Sequence, residues 1–446
     1  MPLDVVDKSI LTLTETDRER FLRYQRAWAY YRAQEYLGDE GEQYLRERKL
    51  FKHLRRVFGY VTQTVDTDAR FLMRKRLGVE ADPEFQEDIY ALWERSNLQS
   101  QKYKLARYGS LLGDAFLILR DVGDGATVVP QLVVANSEDM TIRRDPDDQD
   151  VILWARQSYT FRGEDGRPHR RDWVYTAEEV YRFTDTEDFR RPDQGWPKRH
   201  PFGEVPVIHI RNIDLGEEYG ASSWHHVQGQ LDEINELASY TNRILLRYAD
   251  PALIARGVRP HNQPVIRRGI HEDNVYYLSD PQADMHYLEY EGNVLSQLID
   301  QVKLIEANIR DQLPELALSD LRDQASLSGY AVSLKLADLI AKIDEMRGNY
   351  GNALEWANAL ALRAIRRSKA PLEEFAHRVV FEPVLPPDEL QKLQTWQLEQ
   401  DIGIVSKQEL LRRQGLTDKE IQDRLDEIRR EAGELFGLPL GTGENA

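Results

Sequence analysis

The spacing of apolar and polar residues changes twice along this chain, and the changes predict its elements. Roughly the first hundred residues read as mostly helical. "TDRERFLRYQRAWAYYRAQEYL" places apolar positions among charges at helical intervals. "KLFKHLRRVFGYVTQTVDTDARFLMRKRLG" is richer in β-branched residues, and its pattern leaves helix and strand both open. "DPEFQEDIYALWERSNLQSQKYKLARYGSLLGDAFLILRD" returns to helical spacing behind an acidic first turn.

From about Asp114 to Thr184 the period becomes two. Short runs rich in Val, Ile, Thr, Tyr and Trp, such as "AFLILRD" and "VILWARQSYTF", alternate with "DVGDGA", "DPDDQD" and "GEDGRP". Gly, Asp and Pro supply turn geometry, so antiparallel hairpins are expected. A further strand in "FGEVPVIHIRN" runs through a glycine-punctuated loop into Ser222 and Ser223, either of which fits an N-cap.

The helix predicted from there carries the strongest periodic signal. Val227, Leu231, Ile234, Ala238, Thr241, Leu245 and Tyr248 step by four and three, a heptad-like seam. Both core packing within one chain and contact between neighbouring subunits fit that seam. Asp250-Pro251 ends the helix, because proline disfavours helical geometry in the residue before it. A β-rich insert follows, then a second helix through Val294, Leu298, Val302, Ile305 and Ile309 that stops at Pro314. After a polar loop, a very long helix is expected from Tyr330 to Ser368, kinked at Gly348 and Gly351. A strand in "HRVVFEPVL" leads to three helices starting at Asp388, Ser406 and Thr417.

Composition narrows the chemistry. Without cysteine, the chain has no disulfide, thiolate metal site or cysteine nucleophile. The N-terminus lacks a signal-peptide core and no apolar run is long enough to span a membrane, so a soluble protein made in the cytoplasm is expected. A net charge of −17 argues against a surface that grips DNA tightly, since phosphate neutralisation supplies most of such affinity. No phosphate-loop, zinc-helix or nucleophile-elbow motif occurs. "DPDDQDVILWAR" departs from a calcium loop at Asp150 and Arg156, where glycine and glutamate belong, so it reads as a turn. His225 and His226 are adjacent and cannot chelate one metal from a helix. Gly109 and Gly113 have GxxxG spacing, with no membrane span to use it. No catalytic, cofactor or metal residue is expected.

Ordered blocks along nearly the whole chain resemble the portal proteins of tailed bacteriophages, the head-to-tail connectors. These are "YGSLLGDAFLILRD", "HPFGEVPVIHIRN" with "YGASSW", "LDEINELASYTNRILLRYADPALIARG", "SLSGYAVSLK" and "IGIVSKQELLRRQGL". Asn212, Gly220, Asn235, Ser239 and Pro251 fall within the most typical segment. The resemblance implies an α+β, predominantly helical ring subunit. Its expected parts are a wing over 1–222, a stem helix over 223–249, a β-rich clip over 250–292 and a second stem helix over 293–312. A tunnel loop over 313–328, the long helix over 329–368 and a crown over 369–446 complete it.

The resemblance also implies a function: a ring of about twelve subunits at one capsid vertex, assembled in the host cytoplasm and carried in the virion. Such a ring is not an enzyme. It nucleates procapsid assembly with scaffolding and major capsid proteins, docks the large terminase and later an adaptor or head-completion protein, and passes double-stranded DNA without reading its sequence. The expected channel contacts are Ser319, Asp320, Arg322, Asp323, Gln324 and Ser326; the expected docking residues of the clip are Arg256, Arg259, Arg267 and Arg268. The expected seam between subunits is Val227, Leu231, Ile234, Ala238 and Leu245. The alternative readings are a metal-dependent DNA-processing enzyme subunit with a helical arm, and a non-viral scaffold.

Overall fold

The computed structural model describes residues 13–33, 58–123, 127–185, 189, 191–249, 253–256, 267–268, 274–275, 284–287, 293–318, 332 and 334–384, all within the unit Met1–Val384. Helix α1 (Glu15–Tyr31) opens on a capping box, with Thr14 and Asp17 each accepting the other's backbone N–H. Helix α2 (Tyr60–Leu72) forms from the stretch whose pattern left its state open. Its Val61, Val65, Ala69 and Leu72 are fully buried along one face, and that burial overrides the weak helical preference of β-branched residues. Strand β1 (Gly78–Glu80) and helices α3 (Pro83–Arg95) and α4 (Leu98–Leu112) follow.

The change of period at Asp114 marks a change of structure. Strands β2 (Asp114–Asp121), β3 (Pro130–Ala135), β4 (Met140–Arg144), β5 (Ile152–Arg162), β6 (Pro168–Tyr175), β7 (Glu179–Thr184), β8 (Lys198–Arg199) and β9 (Val207–Arg211) build two antiparallel sheets. Their orders are β3-β2-β9 and β4-β5-β6-β7-β8. Strand β2 is central in the smaller sheet and buried on both faces from Ala115 to Leu119. That is why its sequence is a continuous apolar run rather than an alternating one. The acidic stretch between β4 and β5 is a turn, in which Asp145 and Asp148 each accept the N–H two residues on.

Helix α5 (Gln228–Ala249) starts later than its serines predict, behind a single 3-10 turn at His225–Val227. Neither serine caps it. Ser223 is buried, with its hydroxyl accepting from Asn212 Nδ2 and its N–H donating to the Ser110 carbonyl. Beyond α5, strands β10 (Leu253–Arg256), β11 (Arg267–Arg268), β12 (Asn274–Val275) and β13 (Asp284–Tyr287) pair antiparallel as β10–β13 and β11–β12. Helix α6 (Asn293–Gln312) ends before Pro314, where a 3-10 turn covers Pro314–Leu316.

The long helix α7 (Ala337–Ile365) keeps helical hydrogen bonding through both Gly348 and Gly351. A Cβ at Gly351 would lie 3.5 Å from the Phe381 ring, an ordinary contact, and one at Gly348 would meet nothing. The helix ends just before Arg367, whose φ is +49°, three residues short of the expected Ser368. Strand β14 (Arg378–Val380) then pairs antiparallel with β1. The mixture of sheets and helices bears out the α+β class. Tyr330 and the helices expected from Asp388, Ser406 and Thr417 lie outside the described residues.

Candidate functional site

Helices α5 and α6 pack against each other, and their shared base forms a hydrophobic core. Val227, Leu231 and Ile234 meet Ile305, Ile309 and Leu313 over Tyr24, Tyr30, Val61 and Trp224. Asp232 accepts from the Tyr30 hydroxyl and pairs with Arg26, and Asn235 Oδ1 accepts the Phe58 N–H at 3.1 Å. These contacts correct part of the seam expectation. Val227, Leu231 and Ile234 are fully buried, and Ala238 nearly so, within one chain, which leaves them no surface for a neighbour. Outside this cluster, apolar side chains of both helices are uncovered: Leu245 is 43%, Ile299 37% and Leu304 56% exposed.

The base is joined to the sheets through glycine contacts. Gly113 ends α4 at φ +94°, and a Cβ there would meet the Gly220 carbonyl oxygen at 2.3 Å. One turn earlier, a Cβ at Gly109 would fall 1.8 Å from the Tyr350 hydroxyl. The GxxxG spacing therefore serves close packing inside this chain. Asn212 occupies the same joint. Its N–H donates to the Gly113 carbonyl at 2.8 Å, its Nδ2 to Ser223 Oγ at 3.1 Å, and its Oδ1 accepts from Tyr350 at 3.2 Å. Trp224 Nε1 donates to the Leu111 carbonyl at 3.1 Å.

Two buried carboxylates tie α1 to the sheets. Asp114 accepts from His209 Nε2 and the Gly220 N–H, both at 2.7 Å, and from the Tyr24 hydroxyl. Arg144 donates to His209 Nδ1 at 2.8 Å, which fixes the imidazole as the Nε2–H tautomer. Burial holds His209 below its usual pKa, against its bond to Asp114. Burial alone would raise Asp114; the His209 and Tyr24 hydrogen bonds and the Arg20 charge prevail, and its pKa is lowered. Asp17 is lowered in the same way, with burial outweighed by Arg143 at 2.6 Å and by Thr14.

A third node lies where the 3-10 turn after α6 meets α2 and α7. Lys342 Nζ donates to Glu315 Oε1 at 2.5 Å and to the Ser223 carbonyl at 3.1 Å, and lies 4.0 Å from Asp68 Oδ2. Ser110 Oγ donates to Asp68 Oδ2 at 2.7 Å. Burial, then the Asp68 charge, pushes the Glu315 carboxyl up to about 8.

The predicted site residues fare unequally. Ser319, Asp320, Arg322, Asp323, Gln324, Ser326 and Arg259 lie outside the described residues. Arg256 falls on β10, and Arg267 with Arg268 forms β11. His225 Nδ1 and His226 Nε2 bond separate carbonyls, those of Ser222 and Gln312. Among the described residues no group of three or more acidic or histidine side chains could hold a metal, and no helix is long and apolar enough to cross a membrane. The three buried nodes are joints: they fix the base of a helical pair on which Leu245, Ile299 and Leu304 are exposed.

A family model described as "Phage portal protein, SPP1 Gp6-like" matches residues 11–434. The chain belongs to this phage portal protein family. No curated protein matches it. Among solved structures, the chain is similar to one from the neck of a native GTA particle computed with C12 symmetry. The TM-score is 0.47 at 17% identity, covering 79% of this chain and 88% of that one. It is also similar to one from the neck of an empty GTA particle computed with C6 symmetry, at 0.47 and 16%, covering 80% and 91%. A third, from the virion of a native gene transfer agent particle, scores 0.44 at 16%, covering 80% and 90%. For a portal protein, the nodes at Asp114 and Lys342 are residues that sequence reasoning missed, while Asn212 was singled out by the resemblance without its partners. The Thr14–Asp17 capping box had a readable signal; the nodes join residues too far apart in sequence to have one.

Proposed function

We propose that the chain is one subunit of a portal ring at a capsid vertex, through which double-stranded DNA enters and leaves. The observation that carries this reading is the family match over residues 11–434. The helical pair α5 and α6 then serves as the stem, residues 250–292 as the clip, and the segment between α6 and α7 faces the channel. The exposed apolar side chains of the pair, Leu245, Ile299 and Leu304, are where a neighbouring subunit would close over the stem.

The charge suits a conduit. An acidic wall repels phosphate and keeps DNA moving, while screening beyond about 8–10 Å at physiological salt confines the effect to the channel. Arg322, flanked by Asp320 and Asp323, touches the backbone without holding it, beside Ser319, Gln324 and Ser326. Arg256, Arg259, Arg267 and Arg268 offer the clip a basic face for the large terminase and then the adaptor. Scaffolding and major capsid proteins are the assembly partners. The role is structural, and nothing in the family match favours a metal-dependent DNA-processing enzyme.

The test is packaging. Procapsids assembled with this chain should protect DNA from nuclease in the presence of the terminase and ATP. Those assembled without it should not. Equal protection in both would overturn the reading.

A further inference from the structure

The node at Lys342 has a charge problem that the remainder of the core does not share. Asp68 and Glu315 are both 0% exposed, and the ammonium of Lys342 is the basic group bonded there. Two ionised carboxylates beside one ammonium would leave a net negative charge in a dry interior, which costs several kcal/mol in general. The hydrogen bonding points the same way. Asp68 Oδ1 and Glu315 Oε2 are buried with no hydrogen-bond partner when both groups are ionised. A proton on Glu315 turns one of these oxygens into a donor and gives the other an acceptor's role.

The surroundings offer no substitute. From α2 comes Asp68; from α4 the Ser110 hydroxyl; from the chain before α5 the Ser223 carbonyl. Helix α7 contributes Lys342, the Glu345 charge acting on it, and Tyr350, which senses Asp68. Burial, aided by the Lys342 charge, holds the His226 pKa down, and its Nε2 bonds the Gln312 carbonyl. It is therefore not a second cation for the pair.

We propose that Glu315 and Asp68 share one proton beside Lys342, and that this proton locks the end of α6 and the start of α7 onto α2. The lock spans the two ends of the connection between α6 and α7: Glu315 lies just after α6, and Lys342 in the second turn of α7. When the proton leaves to solvent, Asp68 and Glu315 repel one another across one shared ammonium and the two helix ends loosen from α2. The sign follows from Glu315's raised pKa. The folded chain holds a proton that the unfolded chain has lost, so stability is complete below the unfolded value of 4.5 and declines as pH rises toward about 8. The lock belongs to the single chain and does not depend on the portal reading.

The experiment uses the full chain and the variants Glu315→Gln and Asp68→Asn. Unfolding equilibria are measured from pH 5 to 9. Hydrogen exchange, corrected for intrinsic rates, is followed at 313–318 and 337–343. The wild type should lose protection at both segments together as pH rises, with unfolding favoured by up to about tenfold per pH unit, the mark of one proton. Glu315→Gln, a permanent stand-in for the protonated acid, should hold protection flat over that range. Asp68→Asn should weaken the pH dependence and end the loss at lower pH, because the Asp68 charge no longer adds to burial in raising Glu315. If Glu315→Gln fails to fold, Asp68→Asn carries the test. Either variant retaining the wild-type pH dependence would overturn the proposal.

Discussion

The Tyr350 hydroxyl lies over Gly109 so closely that a methyl group at this position would fall 1.8 Å from it. Helix α7 approaches α4 across that glycine, and the same hydroxyl donates to Asn212 Oδ1 at 3.2 Å. Packing and hydrogen bonding at the joint therefore depend on one missing side chain.

Gly109→Ala should destabilise the chain by about 1–3 kcal/mol, as overpacking a dense core does. Adding Tyr350→Phe removes the closest atom, leaving ring carbon Cζ at 3.0 Å from the new methyl. The double variant should thus be more stable than Gly109→Ala alone, despite losing a hydrogen bond worth about 1 kcal/mol. Urea unfolding of the two single variants and the double variant measures this coupling.

Asp114→Asn should cost about 3 kcal/mol or more, because it uncouples a buried carboxylate from His209, Tyr24 and the Gly220 N–H. Its pH signature is opposite to that of Glu315. A carboxylate with a lowered folded pKa contributes stability that is complete above its unfolded value, about 3.9, and is lost as pH falls through the folded value. Acid titration of unfolding should therefore be shallower in Asp114→Asn than in the wild type.

Leu245→Glu with Leu304→Glu should leave the unfolding of the isolated chain within about 1 kcal/mol of wild type, because both leucines are substantially exposed. Assembly should nevertheless be lost, since the charges would be buried against a neighbouring stem. Sedimentation velocity separates the two effects.

Arg267→Glu with Arg268→Glu should block DNA packaging and terminase binding while the assembled species keeps its size. Normal terminase binding by this variant would remove the clip from the docking surface.

The legible parts of the fold were those with one dominant period. Helices α5 and α6 were readable from their four-and-three spacing, β2 from a short apolar run, and β3 to β7 from runs broken by Gly, Asp and Pro. Helix α2 was not, because Val61 and Val65 favour strands in isolation and become helical through burial. Ser222 and Ser223 misled because a cap and a buried joint use the same hydroxyl chemistry, and only Asn212, from another element, decides between them. The seam was half legible. Its period revealed an apolar face but not which part the chain itself covers, as Val227 and Leu245 show. The nodes at Asp114 and Lys342 were silent, since a lone Asp or Lys in an acidic chain has no spacing to betray its partners.

The central claim, that this chain is a ring-forming portal subunit, is tested most directly by the mass of its assembled state. Native mass spectrometry with electron microscopy of the same sample should show a closed ring of about twelve copies around a central hole. A species that stays monomeric or dimeric under all assembly conditions would contradict the account.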